Sequence, residues 1–155
     1  MIEKDAARGL PIFRPDGAVL RDFMRDKTSR VKIIQGPQGS GTSSACCVHI
    51  FQRALAQPAQ PDGRQRFRTH IFRETYSKLE ETTIPTWKDW FKPGTRPDEF
   101  GIFYETRPYR HEVRVGSLEL DVTFVAMEDI RDAKSFFMSL ETSRIFLPRS
   151  EIGCD

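Results

Sequence analysis

Residues 33–44 read "IIQGPQGSGTSS", and the fold assigned to the chain turns on this loop. The phosphate-binding loop pattern is glycine, four residues, then Gly-Lys-Ser/Thr, with backbone N–H groups turned toward phosphate oxygens. Gly36, Gly39, Gly41 and Ser43 stand at the right offsets, but Thr42 occupies the lysine's place. Ahead of the loop, "RVKIIQ" (30–35) is a short apolar run with strand character. Behind it, "SSACCVHIFQRALAQ" (43–57) predicts a helix stopped by Pro58. Strand, loop and helix is the placement the motif requires. The backbone half of an anion site is therefore expected and the charge half is not. Threonine cannot neutralise a phosphate, and a cation aimed at transition-state charge is worth several kcal/mol of barrier. Arg30 and Lys32 are the nearest cations in sequence, both on the run before the loop. The plain alternative is a glycine-rich turn with no ligand.

The rest of the chain is an ordinary globular composition. Its 155 residues fit one domain, and 30% charged with 38% hydrophobic residues match a soluble protein. A net charge of +2 is no polycation, so any nucleic-acid contact needs a local patch. Adjacent Cys46 and Cys47, with Cys154, form no disulfide framework and argue for a reducing compartment. No signal peptide and no run of about 20 apolar residues is present, so the expected location is inside a cell.

Along the chain, residues 1–15 read as an irregular arm, and Asp16 precedes a short helix over 17–26. "RFRTHIFR" (66–73) is a second strand. "TYSKLEETTIPTWKDWF" (75–91) is helical until Pro85 breaks or restarts it. Strands are expected over 101–106, 109–115 and 118–126, the last two joined as a hairpin at Gly116-Ser117. "EDIRDAKSFFMSL" predicts a helix and "RIFL" (144–147) a final strand. This alternation argues for an α/β sheet with helices on both faces and an antiparallel hairpin. Alternation along "RQRFRTHIFR" puts Arg64, Arg66 and Arg68 on one face, where they are candidates for DNA phosphates or a solvated edge. Trp87 and Trp90, three apart on a helix, are core candidates ahead of base-stacking ones.

Three stretches together resemble one family. "VKIIQGPQGSGTSSACC" (31–47), "FRETYSKLEETTIPTWKDWF" (72–91) and "VTFVAMEDIRDAKSFFMSLE" (122–141) are similar, in order and spacing, to the N-terminal ATPase domain of the large terminase subunit of tailed bacteriophages. The second and third stretches are more specific than the glycine loop. The resemblance implies a P-loop NTPase-like three-layer sandwich with a mainly parallel sheet. It divides the chain into an arm and short helix (1–29) and a partial ATPase-like domain (30–155) without the nuclease domain. It also implies ATP and Mg²⁺ as ligands and host cytoplasm as the location. Implied partners are the portal, the small terminase, other terminase chains and double-stranded DNA.

By position, Gly36, Pro37, Gln38, Gly39, Ser40, Gly41, Thr42 and Ser43 would cradle nucleotide, and Ser43 would ligate Mg²⁺. Arg73 matches a basic residue in the family's motif after the second strand, near which arginines are candidates for sensing the γ-phosphate or acting as a finger in a neighbouring subunit. Its structural alternative is an ion pair with Glu74 or Glu105. The pattern breaks after "RIFL", where Pro148 and Arg149 stand in place of the Walker B carboxylates and Glu151 lies about two residues late. With both Walker elements altered, the expectation is a catalytically defective binding or regulatory module, derived by truncation, gene splitting or free-standing descent. The alternatives are an active ATPase subunit completed in trans by another chain, and an unrelated small P-loop phosphotransferase.

Overall fold

In the computed structural model, residues 10–29, 31–37, 39–132 and 134–136 are described, with the backbone of 144–146. Helix α1 spans Gly17–Arg25 and α2 spans Thr42–Leu55. Strand β1 is Gln65–Arg73. A continuous helical stretch follows: α3 (Tyr76–Lys78), a π-helical turn (Leu79–Thr83) and α4 (Ile84–Trp90). Strands β2 (Ile102–Tyr104), β3 (Tyr109–Val115) and β4 (Leu118–Ala126) complete a four-stranded sheet, and β5 (Arg144–Phe146) adds beside β1. The strand order is β2-β3-β4-β1-β5.

Pro85 restarts the helix instead of ending it. Proline lacks an N–H and its ring crowds the carbonyl four residues back, here that of Glu81. The π-helical turn just before it is the local widening that accommodates both. The restarted helix then lays Trp87, fully buried, over the sheet. Trp90 is half-buried and meets Phe13 of the arm edge-on at 5.7 Å.

The β1–β4 pair is the middle of the sheet. It is parallel, in register from Gln65↔Leu118 to Arg73↔Ala126. Period-two alternation sends Phe67, Thr69 and Ile71 to the same face as Leu118, Leu120, Val122 and Phe124, all buried. That face is covered by α2, through Cys47, Ile50, Phe51 and Ala54, and by α4 with Trp87 and the following Phe91. Each such large side chain contributes roughly 1.5–3 kcal/mol on burial.

The helix expected from Glu128 onward is not continuous, since Met127–Asp129 is a 3-10 turn and residues 130–132 are not helical. Three further expectations change. The sheet is not mainly parallel: β1 pairs in parallel with β4 and β5, but β2–β3 and β3–β4 are antiparallel. The two-residue turn at Gly116-Ser117 allows no other sense between β3 and β4. Helical cover is also unequal, because on the opposite face the described residues place only the turn at 134–136, whose Phe136 meets Phe72 at 6.1 Å. Finally, the run 31–35 is not a strand of the sheet. Its exposure alternates as a strand's would, yet Val31 and Ile33 are 77% and 82% exposed. The amine of Lys32 explains this placement. It donates to the backbone oxygens of Phe23, at 2.8 Å, and Asp26, which tethers the run to the end of α1.

Where β2 meets β3, Gly101 has φ +92°, and a Cβ there would lie 2.1 Å from the Glu112 carbonyl oxygen. Gly101→Ala is expected to cost about 3 kcal/mol, from left-handed strain plus displacement of β3. Urea unfolding measures it, and an unchanged midpoint would refute the close approach.

Candidate functional site

The glycine loop enters α2 with the backbone shape of an anion nest. Gly39 and Gly41 have φ of +78° and +79°, a left-handed conformation that glycine adopts without steric cost. Gly41 occupies the N-cap position of α2, and no side chain caps that helix. Inside the loop, Ser40 N–H donates to the Pro37 carbonyl at 3.2 Å, and the first helical bond runs from Ala45 N–H to Gly41 O. The N–H groups of Gly39, Gly41, Thr42, Ser43 and Ser44 have no acceptor among the described residues. Open donors of this kind, aligned with the positive end of a helix dipole, favour an anion.

The loop is also tight. A Cβ on Gly36 would stand 2.5 Å from Ser40 Oγ, and that hydroxyl is buried without a hydrogen-bond partner. Ser43 is exposed on the first turn of α2. Gln38, and the later Pro148, Arg149 and Glu151, lie outside the described residues.

Among the described residues of the preceding run, no cation stands in for the missing lysine. Lys32 is committed to the α1 carbonyls and lies 5.1 Å above the Phe23 ring. Arg30 lies outside the described residues. Arg73 is different. It ends β1, half-buried, and its expected acids are taken, Glu74 by Lys78 and Glu105 by Lys88. Arg73 makes no ion pair among the described residues.

Topology relates Arg73 to the loop. The side-chain amide of Gln65, at the start of β1, donates to the carbonyls of Leu55 and Gln57 at the end of α2. Helix α2 therefore runs back along the sheet, and its N-terminal loop lies toward the carboxyl ends of β1 and β4. Ligands of parallel sheets bind outside those ends.

Sequence reasoning passed over Glu128 and Asp129, which follow β4 at this same end. Glu128 Oε1 accepts from Tyr76 N–H at 3.0 Å, and Glu128 N–H donates to the Glu74 carbonyl at 3.1 Å. The Tyr76 hydroxyl is pushed up to about 12, first by burial and then by Asp129. The available signal was an apolar strand ending in two acids. Among the described residues no group of His, Cys, Asp and Glu is placed to hold a metal ion. Cys46 and Cys47 are buried free thiols. Burial pushes Cys46 up to about 12, so it is neither a ready nucleophile nor a ready ligand.

The DNA-phosphate candidates share one face, as alternation requires, but they are paired with acids on that face. Arg64 and Arg66 both bind Glu119, Arg66 also reaches Asp62 at 2.5 Å, and Arg68 lies 4.0 Å from Asp121. Nor is β1 an edge, because β4 and β5 flank it. Hydrogen bonds from Arg64 and then Arg66 hold the Glu119 carboxyl below its usual range.

Compared with known proteins, the chain matches no family model, no curated protein and no solved structure. No helix among the described residues is long and apolar enough to cross a membrane.

Two outcomes follow from this geometry. Gly41→Ala is expected to cost about 1–2 kcal/mol, because alanine resists the left-handed N-cap. Chemical denaturation reads this, and a neutral change would refute the loop conformation. Arg66→Gln, which removes exposed, solvent-screened pairs only, is expected to leave the urea midpoint almost unchanged. It should also leave the salt slope of any duplex DNA binding unchanged in a filter or anisotropy titration. A slope reduced by about one unit would instead make Arg66 a phosphate contact.

Proposed function

We propose that the chain is a phosphate-loop module similar to the ATPase domain of the phage terminase large subunit, one that holds phosphate by its backbone and does not hydrolyse ATP alone. Its sheet is then the core of a P-loop NTPase-like three-layer sandwich over residues 30–155. The single observation that supports this reading best is the row of unpaired N–H donors at Gly39, Gly41, Thr42, Ser43 and Ser44, entering a helix with no side-chain cap. Arg73, which makes no ion pair among the described residues and ends β1, is the cation assigned to a bound phosphate in this reading. Against the reading stands the run 31–35, outside the sheet where such a fold places a strand.

Chemically, the loop offers dipoles without a fixed positive charge. It can favour an anion in the ground state, but it lacks the lysine that would answer charge developing on the γ-phosphate. Threonine at position 42 therefore predicts weak binding and negligible turnover. The module acts in this reading as a partner or regulator of packaging components: the portal, the small terminase, other terminase chains or double-stranded DNA, in the host cytoplasm. ATP with Mg²⁺ is the ligand to test, with Ser43 at the metal position.

Calorimetry with Mg-ATP on the wild type and on Thr42→Lys is the direct experiment. The substitution is expected to tighten binding at least about tenfold, equivalent to about 1.4 kcal/mol, while hydrolysis stays at background in both. No gain in affinity would mean that the loop is not shaped for phosphate. Measurable turnover by the wild type would refute the defective-module reading.

A further inference from the structure

Helix α4 is fastened to the β3–β4 hairpin by one buried polar contact. The indole N–H of Trp87 donates to His111 Nδ1 at 2.8 Å, and both residues are fully buried. An indole nitrogen only donates, so Nδ1 must be the unprotonated nitrogen of a neutral ring. Nε2 then carries the proton, buried without a hydrogen-bond partner. An imidazolium would present N–H to N–H at this distance.

Among the described residues no carboxylate side chain answers a charge on the ring, and only the backbone of Gly101 and Phe100 favours one. Phe103 of β2 lies 5.6 Å from the imidazole, and β4 places Val122 opposite it. The charged residues of α4 are Lys88, which acts on the ring, and Asp89. Those of the β2–β3 connection are Glu105 and Arg107, paired to Lys88 and Glu80 respectively. Arg110, Glu112 and Arg114 of β3, and Asp121 of β4, leave their strands on the opposite face by alternation. Among the described residues no carboxylate is hydrogen-bonded to the ring.

We infer that the Trp87–His111 contact is an acid-sensitive latch, whose protonation releases α4 from the hairpin while β1 and β4 stay paired. Burial holds the His111 pKa down to about 4, outweighing an upward pull from the backbone of Gly101 and Phe100, and the charges of Lys88 and Arg114 add smaller downward contributions. The latched state binds fewer protons than the open one. Its stability is complete above about 6.5 and falls as pH drops toward 4.

The test is hydrogen exchange at the Trp87 indole and the α4 amides, in the full chain and in His111→Asn. The asparagine oxygen can accept the indole bond but cannot titrate. Protection in the wild type, corrected for intrinsic rate, should fall about tenfold per pH unit between about 6.5 and 4, and stay flat in the variant. Two results would overturn the latch: the same slope in His111→Asn, or β1 and β4 amides losing protection in step with α4. Should the variant not fold, an NMR titration of the wild type decides. A His111 midpoint near 4 with the Trp87 indole proton moving alongside supports the latch, and a midpoint near 6.5 with that proton unmoved refutes it.

Discussion

The parallel register between β1 and β4 is the constraint on which the rest of the molecule depends. Nine consecutive residue pairs, from Gln65↔Leu118 to Arg73↔Ala126, fix which side chains of both strands share a face. A slip of one residue would turn Phe67, Thr69 and Ile71 to solvent and bury Arg66 and Arg68 instead. Because that alternative strands charges in the core, the register is strongly specified. The apolar face it creates is what α2 and α4 pack on. The amide of Gln65 then ties the end of α2 to the start of β1, which sets the direction in which α2 returns along the sheet.

The same register organises the opposite face. Arg64 and Arg66 meet across the strands at Glu119, and Arg114 reaches Asp121 at 2.9 Å. Pairs this exposed add little stability, since solvent screens them and ordering long side chains costs entropy. Their consequence is electrostatic. A face that reads as a basic stripe along β1 alone is close to neutral once β4 supplies its acids, in keeping with the small net charge of the chain.

At the loop, conformation and charge part company. Left-handed φ at Gly39 and Gly41 follows from glycine chemistry and needs no distant partner. A cation over the nest does need one, and the nearest in sequence, Lys32, is drawn to the carbonyls at the end of α1. The positive charge of Lys32 therefore reinforces a helix C-terminus, where it is favourable, and does nothing for an anion.

By itself the sequence determined whatever a short window contains. The existence of α2 ahead of Pro58, the alternation of β1, the Gly116-Ser117 hairpin, a disturbance of the helix at Pro85 and the glycine shape of the loop are all local outcomes of backbone chemistry. Burial of Trp87 was legible for the same reason, as an aromatic on the inner face of an amphipathic helix. The even balance of parallel and antiparallel pairing was left to the tertiary structure. So were the exclusion of 31–35 from the sheet, the acids opposite Arg64, Arg66 and Arg68, the isolation of Arg73 from both expected acids, and the meeting of Trp87 with His111. Each of these joins residues far apart in the chain. Only the completed register of strands and helices decides which distant groups become neighbours, and with them which charges are answered.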